Sequence, residues 1–239
     1  MVAFTLAEVL IVLGIIGIVA QMTIPTLVKN VETQVTVASL KKTYSTFESA
    51  FRLAIQQNGT VDQWGLTDIY SSSGQGALDA MNIIVPYLKI SEKCGISDGC
   101  YPNSNYTFLD KSATKNYYTD ATRAKFILAD GVIADFMIRD ISCNSPQGTT
   151  PNLSSVCGDL DVDINGAKGP NVFGRDYFRF WITKYGVIPR GTSLDSSTFE
   201  AGCIVGNGAT CSAWALMNEN LDYTKCPSQL SWVGQHKCS

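Results

Sequence analysis

The sequence predicts an α+β protein in which a long N-terminal α-helix, membrane-spanning in its lower half, packs on an antiparallel β-sheet with disulfide-stapled loops. Three observations support this prediction. An almost wholly apolar segment opens the chain, short alternating runs separated by Asp-Gly and Asn-Gly fill its middle, and eight cysteines lie beyond the apolar segment. Such features are typical of a membrane span, of half-buried strands and of disulfides in an oxidising compartment.

The apolar segment runs from Phe4 to Val28 and carries a single charge, Glu8. A helix needs about 20 apolar residues to cross a bilayer, so this segment is long enough to span one. A carboxylate in hydrocarbon costs roughly 2.5–3.5 kcal/mol and therefore indicates a function with a cationic partner. No Lys or Arg precedes Lys29, so the nearest cation would be a chain N-terminus. An α-amino group titrates at about 7.7–8.0 and is largely cationic at neutral pH.

The segment resembles the N-terminus of prepilin-type proteins, which are the type IV pilins and the pseudopilins of type II secretion systems. The matching residues are Phe4-Thr5-Leu6, Glu8, Val9–Ala20 with Gly14 and Gly17, and Pro25. The resemblance implies that a prepilin peptidase cuts between Ala3 and Phe4 and methylates the new amino group of Phe4. It also implies that Glu8 pairs with the N-terminal amine of a neighbouring subunit, and that the helix between its glycines and its proline can unwind during assembly.

On this resemblance the chain is a structural subunit with a pilin-like fold. It is anchored by a single pass in the bacterial inner membrane as a prepilin and polymerises through its N-terminal helix into a type IV pilus-like filament. Its partners would be other copies or related pilins, the prepilin peptidase, the inner-membrane assembly machinery and the lipid bilayer. It would end in a cell-surface filament or a periplasmic pseudopilus.

Two alternatives stay open: a pseudopilin of a type II secretion system, and a membrane-anchored secreted enzyme or receptor. A secretory signal peptide would show a basic start and a cleavage site after its apolar core, and neither is visible.

We divide the chain into a leader remnant (1–3), a transmembrane or fibre-core helix (4–28), an amphipathic helix packed on the globular domain (29–58) and a globular α+β domain (59–239). The amphipathic helix is predicted from apolar residues at steps of three and four. They are Val31, Val35, Ala38, Leu40, Tyr44, Phe47, Phe51, Ala54 and Ile55. Asn58-Gly59 provides the expected C-terminal stop.

In the globular domain we predict a short helix around Ala77–Leu88 and then an antiparallel meander. Strands at 126–129 and 132–137 flank Asp130-Gly131, which favours a hairpin with a type I′ turn. Further strands are predicted at 160–163, 176–182 and 185–188, and residues 211–218 form a short helix or strand.

The cysteines indicate up to four disulfides. They are Cys94, Cys100, Cys143, Cys157, Cys203, Cys211, Cys226 and Cys238. There is no C-x-x-C pair and only one histidine, His236, so zinc-finger spacing is absent. Eight cysteines allow 105 pairings; short loops favour Cys94–Cys100, and the loop 141–158 is stapled at its ends by Cys143 and Cys157. Free buried thiols in a reduced domain are the alternative.

The run Asp161-x-Asp163-x-Asn165-Gly166 is the opening of a calcium loop. Position 12 would be Val172 rather than Glu, so the run is not an EF-hand, but Asp176 could complete a different set of ligands. The segment through Phe178 also resembles a recurrent segment of pseudopilin domains, some of which bind calcium. The alternative, which we favour, is an Asn-Gly hairpin whose acids face solvent, and no other cofactor is expected.

The net charge of −3 and the isoelectric point near 5.1 argue against nucleic-acid binding. The chain has no G-x-S-x-G motif, no P-loop and a single histidine near its end. We therefore expect no enzymatic activity and no catalytic residues.

Overall fold

The structure, a computed structural model, describes residues 5–67 and 73–239. It contains two compact units, an N-terminal unit (Met1–Val35) and a C-terminal unit (Thr36–Ser239). The helices are α1 (Leu6–Asn58), α2 (Gln75–Ile84) and α3 (Ser212–Asn218). Single turns of other helix types occur at Val61–Gln63, Val85–Tyr87, Glu200–Ile204, Asp222–Thr224 and Pro227–Gln229.

Eight strands belong to the C-terminal unit. They are β1 (Ile90–Gly95), β2 (Tyr106–Thr107), β3 (Thr114–Lys115), β4 (Ala124–Leu128), β5 (Ile133–Ile138), β6 (Val156–Asp163), β7 (Tyr177–Thr183) and β8 (Gly186–Pro189). Six of them form one antiparallel sheet in the order β1-β4-β5-β6-β7-β8, and β2 pairs with β3. The predicted meander is therefore confirmed as β4 to β8, while the edge strand β1 is not among the predicted strands.

The hairpin at Asp130-Gly131 is confirmed, but the predicted type I′ turn is wrong. Gly131 has a φ of 89°, whereas Asp130 is not among the residues with positive φ, and a type I′ turn needs both. The N–H of Gly131 donates to the carbonyl of Leu128, and the N–H of Leu128 donates to the carbonyl of Val132. This is a type I turn closed by a left-handed glycine, which lengthens the loop by one residue.

The core of the C-terminal unit forms where α1 packs on one face of the six-stranded sheet. Phe47 of α1 contacts Phe126 and Phe136 edge to face, with ring centroids 6.1 and 6.2 Å apart, and Phe51 lies 5.8 Å from Phe136. Pairs of this kind contribute about 0.5–1.5 kcal/mol beyond the burial of their area. The stripe of apolar residues therefore holds the second part of α1 on the sheet.

The buried stripe begins later than the sequence predicts. Leu40, Phe47, Phe51 and Ala54 are buried, and Tyr44 and Ile55 are partly buried. By contrast Val31, Val35 and Ala38 are exposed, and Val37 is buried in place of Ala38. The helical period predicts which face of α1 is apolar, but it does not show at which residue the burial of that face begins.

All eight cysteines form disulfides, each between neighbours in the sequence. The pairs are Cys94–Cys100, Cys143–Cys157, Cys203–Cys211 and Cys226–Cys238. The first pair and the stapled loop are confirmed, and the alternative of free thiols is wrong. Four disulfides favour an extracytoplasmic location.

Two local predictions are also decided. The helix around Ala77–Leu88 is confirmed as α2 and the single turn that follows it. The segment 211–218 is a helix, α3, and its Trp214 stacks on Phe199 with centroids 3.9 Å apart.

We expect Phe47→Ala to lower the free energy of unfolding of the C-terminal unit by about 3–5 kcal/mol, because a fully buried aromatic ring leaves a cavity. The four tryptophans all lie in this unit, so guanidinium denaturation of the full chain in detergent, followed by tryptophan fluorescence, measures it. Leu53→Ala is the control, since Leu53 is exposed on the same helix. Equal losses for the two variants would contradict this account of the core.

Candidate functional site

The first candidate site is the apolar part of α1. Residues Leu6–Pro25 form one helical stretch that is long and apolar enough to cross a membrane, and none of its most apolar window is buried within the protein. Side chains on all its faces are exposed, among them Leu10, Ile11, Ile15 and Ile18, each by more than half. A helix near the N-terminus with these properties is typical of a membrane anchor or a signal sequence.

Glu8 caps the start of this helix. Its Oε2 accepts hydrogen bonds from the N–H and the hydroxyl of Thr5, both at 2.8 Å, and the N–H of Glu8 donates to Oγ1 of Thr5 at 3.3 Å. This reciprocal pair is a capping box, whose sequence signal is Thr-x-x-Glu. The sequence analysis missed it because the resemblance had already assigned Glu8 a partner outside the chain.

The capping box does not neutralise Glu8. Both donors of Thr5 are uncharged and both bond to Oε2. Among the described residues no cationic group lies within 4.0 Å of the carboxylate. The predicted amine partner and the predicted cleavage residues, Ala3 and Phe4, lie outside the described residues.

Among the described residues, no contact requires a glycine at Gly14 or Gly17. A Cβ atom added at either position would meet nothing within 4 Å. Glycine in a helix interior is destabilising by about 0.5–1 kcal/mol relative to alanine. Pro25 also lies inside α1, which is helical on both sides of it. All three residues weaken the helix, and among the described residues no contact compensates for the two glycines.

The second candidate site is the predicted calcium set, which the structure divides. Asp161 is fully buried and bonded to two arginines: Arg123 Nη1 lies 2.7 Å from its Oδ2, and Arg179 Nε lies 2.9 Å from its Oδ1. The hydroxyl of Tyr177 also donates to Oδ2 at 2.8 Å. Burial raises the pKa of Asp161, but the charges of Arg179 and Arg123 outweigh burial and hold it below its usual range. These partners leave no place for a metal ion.

The other predicted ligands lie near one another. Asp176 accepts the N–H groups of Asn171 and Val172 and the side-chain amide of Asn165. Tyr106 donates its hydroxyl to Asp163, which is fully buried. The favoured interpretation, acids facing solvent, is therefore wrong, because β6 is covered on both faces.

The oxygen atoms around Asp163 and Asp176 are of the kind that binds a hard cation. The Oδ1 atoms of Asn165 and Asn171 are buried without a hydrogen-bond partner. With Asp163 and Asp176 they offer carbonyl and carboxylate oxygens, the ligands that calcium prefers. Asp163, Asn165 and Asp176 could thus hold calcium with Asn171 in place of Asp161, and the calcium site stays a prediction.

An ionic network that was not predicted from the sequence lies on the second face of the sheet. The face is defined by Lys125, Asp135, Asp159, Asp161, Asp163 and Arg179, and we call it the polar face. Cross-strand register places Asp161 directly opposite Asp135 on one side and Arg179 on the other. Arg123 bonds to Asp135 at 2.5 Å as well as to Asp161. Burial raises the pKa of Asp135 to about 6 despite the Arg123 charge.

Tyrosines from the segment before β4 cover the polar face. Tyr101 donates to Asp135 at 2.7 Å, and the ring of Tyr117 lies 5.0 Å from the guanidinium carbon of Arg123. Burial raises the pKa of Tyr101 well above its ordinary value, so its hydroxyl stays a donor. The sequence contains a signal for this network. Asp159, Asp161 and Asp163 occupy every second position of β6 and so share one face, and Arg179 occupies the position opposite Asp161 on β7.

Comparison with known proteins adds one match. The model of a family of unknown function (DUF6613) matches residues 26–147, which begin just after the apolar stretch and end beyond β5. No curated protein and no solved structure shows a significant similarity to the chain.

We expect the Asp163→Asn variant to gain stability over the wild type as the pH rises. Burial raises the pKa of Asp163 to about 7, and the neighbouring Asp176 carboxylate adds to this effect. The folded state therefore binds one more proton than the unfolded state between about pH 4 and 7, and the wild type loses about 1.4 kcal/mol per pH unit in this window. Asparagine keeps the acceptor for Tyr106 and does not titrate.

The measurement is guanidinium denaturation of both full chains at pH 4.5 and 7.5 in the presence of a chelator. Asp98→Asn removes an exposed acid of the same unit and serves as the control. A wild type that is stabilised relative to Asp163→Asn at the higher pH would contradict the burial of a protonated Asp163.

Proposed function

The chain belongs to this family of unknown function, and from its own residues we propose that it is a membrane-anchored structural subunit that polymerises through its N-terminal helix into a type IV pilus-like filament. The proposal assigns no enzymatic step to the chain. It rests on one observation: a 20-residue apolar helical stretch, uncovered on every face, carries one carboxylate near its start.

The uncovered stretch needs an apolar environment that its own chain does not provide. Burying apolar surface contributes about 25 cal/mol per Å², so leaving about 20 such residues in water is strongly unfavourable. Lipid removes this surface from water, and so does a bundle of identical helices. A subunit that passes from membrane to filament uses the two environments in succession.

Glu8 distinguishes this proposal from a plain membrane anchor. An anchor gains nothing from an intramembrane acid, which is costly in hydrocarbon. Thr5 uses one oxygen of Glu8, and among the described residues Oε1 has no donor. A cationic amine from a neighbouring chain would bond to this oxygen and neutralise the carboxylate without displacing the cap.

The glycines give independent support. Gly14 and Gly17 are three residues apart and share one face of the helix. No contact in this chain requires them, whereas a second helix can approach closely where side chains are absent. Two glycines on one exposed face of the helix favour close packing of helices between subunits.

We expect Glu8→Gln to abolish efficient filament assembly while leaving membrane insertion intact. Glutamine preserves the capping box but removes the charge, so the variant isolates the pairing with an amine. Thr5→Ala is the matched control: it weakens the cap and keeps the charge, and it should assemble. The measurement is the abundance of the chain in sheared surface filaments, by electron microscopy and mass spectrometry, against its amount in the membrane fraction.

Wild-type filament abundance for Glu8→Gln would remove the basis for charge pairing. Loss of assembly in Thr5→Ala but not in Glu8→Gln would assign Glu8 to capping alone. A wild-type chain found only as a single-span monomer would favour a membrane-anchored enzyme or receptor.

The proposal also requires a particular N-terminus. We expect assembled material to yield an N-terminal peptide that starts at Phe4 and carries one additional methyl group. If residues 1–3 remained attached, the amine would be displaced by about 4.5 Å along a helix, away from a neighbour's Glu8. Peptide mass spectrometry decides this, and filaments that consistently retain Met1 would contradict the cleavage.

A further inference from the structure

A polar cleft opens on the C-terminal unit beside Arg139, Trp181 and Arg190. Its volume is about 660 Å³, within the range of about 300–1,000 Å³ typical of small-molecule sites. It is lined by residues of the loop that the Cys143–Cys157 disulfide staples, and by two arginines, Arg139 and Arg190, with Trp181. All of these residues belong to the C-terminal unit.

Three guanidinium groups meet at this end of the ionic network. Among the residues that the structure describes, Asp159 is the one carboxylate paired with both cleft arginines. Arg139 donates to it from Nε and Nη2, each at 2.7 Å, and Arg190 Nη1 lies 3.2 Å from it. Arg179, which also pairs with Asp161, is a third guanidinium at 3.4 Å from Asp159. One carboxylate therefore faces three guanidinium groups.

Arg190 uses few of its five N–H donors. Among the described residues its guanidinium makes one hydrogen bond, to Asp159, and its buried Nε has no partner. It stacks on Trp181 with its central carbon 3.6 Å from the ring centroid, and Asp195 holds the indole N–H of Trp181 at 2.9 Å. Burial and the charge of Arg179 lower the pKa of Arg190 to about 10, so it is still cationic at neutral pH.

One negative charge, that of Asp140, offsets part of the positive charge of the cleft arginines. Asp140 lines the cleft, but its two oxygens accept the backbone N–H groups of Ser142 and Asn144. Its hydrogen bonds shape the stapled loop. The planar fork of a guanidinium matches a carboxylate, with which it forms two parallel hydrogen bonds.

We propose that this cleft binds a small hydroxylated carboxylic acid, of the chemical class of the sugar acids. Its carboxylate lies between Arg139 and Arg190. Its hydroxyl groups face the amide and hydroxyl side chains of the stapled loop, Asn144, Ser145 and Gln147, which can both donate and accept. Trp181 holds Arg190 in place and is too deeply buried to stack on the ligand.

Isothermal titration of the full chain, in a detergent without sugar headgroups, tests this proposal with glucuronate as the probe. Glucose lacks the carboxylate, acetate lacks the hydroxyls and phosphate is an unrelated anion. We expect glucuronate to bind more tightly than each of the three. Arg139→Gln should weaken glucuronate binding about ten-fold or more, because charge-assisted hydrogen bonds are lost.

Arg175→Gln is the matched control, since Arg175 is exposed and does not line the cleft; it should bind glucuronate as the wild type does. Arg139→Gln leaves Asp159 paired with Arg179 and Arg190, and a single cooperative thermal transition verifies that it folds. Three outcomes overturn the proposal: no binding of glucuronate, equal binding of acetate or phosphate, or wild-type affinity in Arg139→Gln.

Discussion

Strand β6 is buried along its whole length, and the rest of the C-terminal unit is arranged around that constraint. Its side chains alternate, so that Leu160 and Val162 face α1 while Asp159, Asp161 and Asp163 face the opposite way. A buried, unpaired carboxylate is strongly destabilising. Each of these aspartates has its own partners: arginines for Asp159 and Asp161, and a tyrosine hydroxyl for Asp163.

The segments that cover the polar face provide some of these partners. Tyr101 and Tyr106 come from the chain between β1 and β3, and their hydroxyl groups reach two different strands of the sheet. Removing one member of such a network leaves a buried charge, which costs more than the pair contributes. The covalent links are local by comparison, since each disulfide closes a short loop. Long-range order on the polar face therefore depends on hydrogen bonds and ion pairs.

Helix α1 meets opposite requirements in its two parts. From Val37 to Ala54 it presents one apolar stripe, which is buried in part against aromatic residues of the sheet. In the stretch before Pro25 apolar side chains point in every direction and have no cover in the chain. Glu8, Gly14 and Gly17 lie in that stretch, and each is unfavourable there unless something outside the chain contacts it. This is why the proposed function is placed on the helix and not on the globular part.

The sequence by itself determined the features that depend on local periodicity and composition. These include the apolar stretch around Glu8, the short helix α2, the hairpin between β4 and β5, and the pairing of Cys94 with Cys100. Each is set by residues close in the chain: an apolar run, a helical period, an Asp-Gly turn, or a loop too short to allow many alternatives. The Thr5–Glu8 capping box was equally local, and it could have been predicted from its spacing.

Tertiary structure decided which surfaces are covered. Alternation along β6 is the same whether the acids face water or a second layer of protein, so Asp161 and Asp163 were assigned to solvent. Their partners, Arg123, Tyr106 and Arg179, are separated from them by whole strands or loops. Strand register brings Arg179 opposite Asp161, and packing of the segments before β4 brings Tyr106 and Arg123 to the aspartates. The start of the buried stripe at Val37 and the cleft beside Arg190 depend on the same kind of contact. The hydrophobic period and the composition of a segment show which residues share one of its faces. Only the packing of distant segments determines what contacts that face.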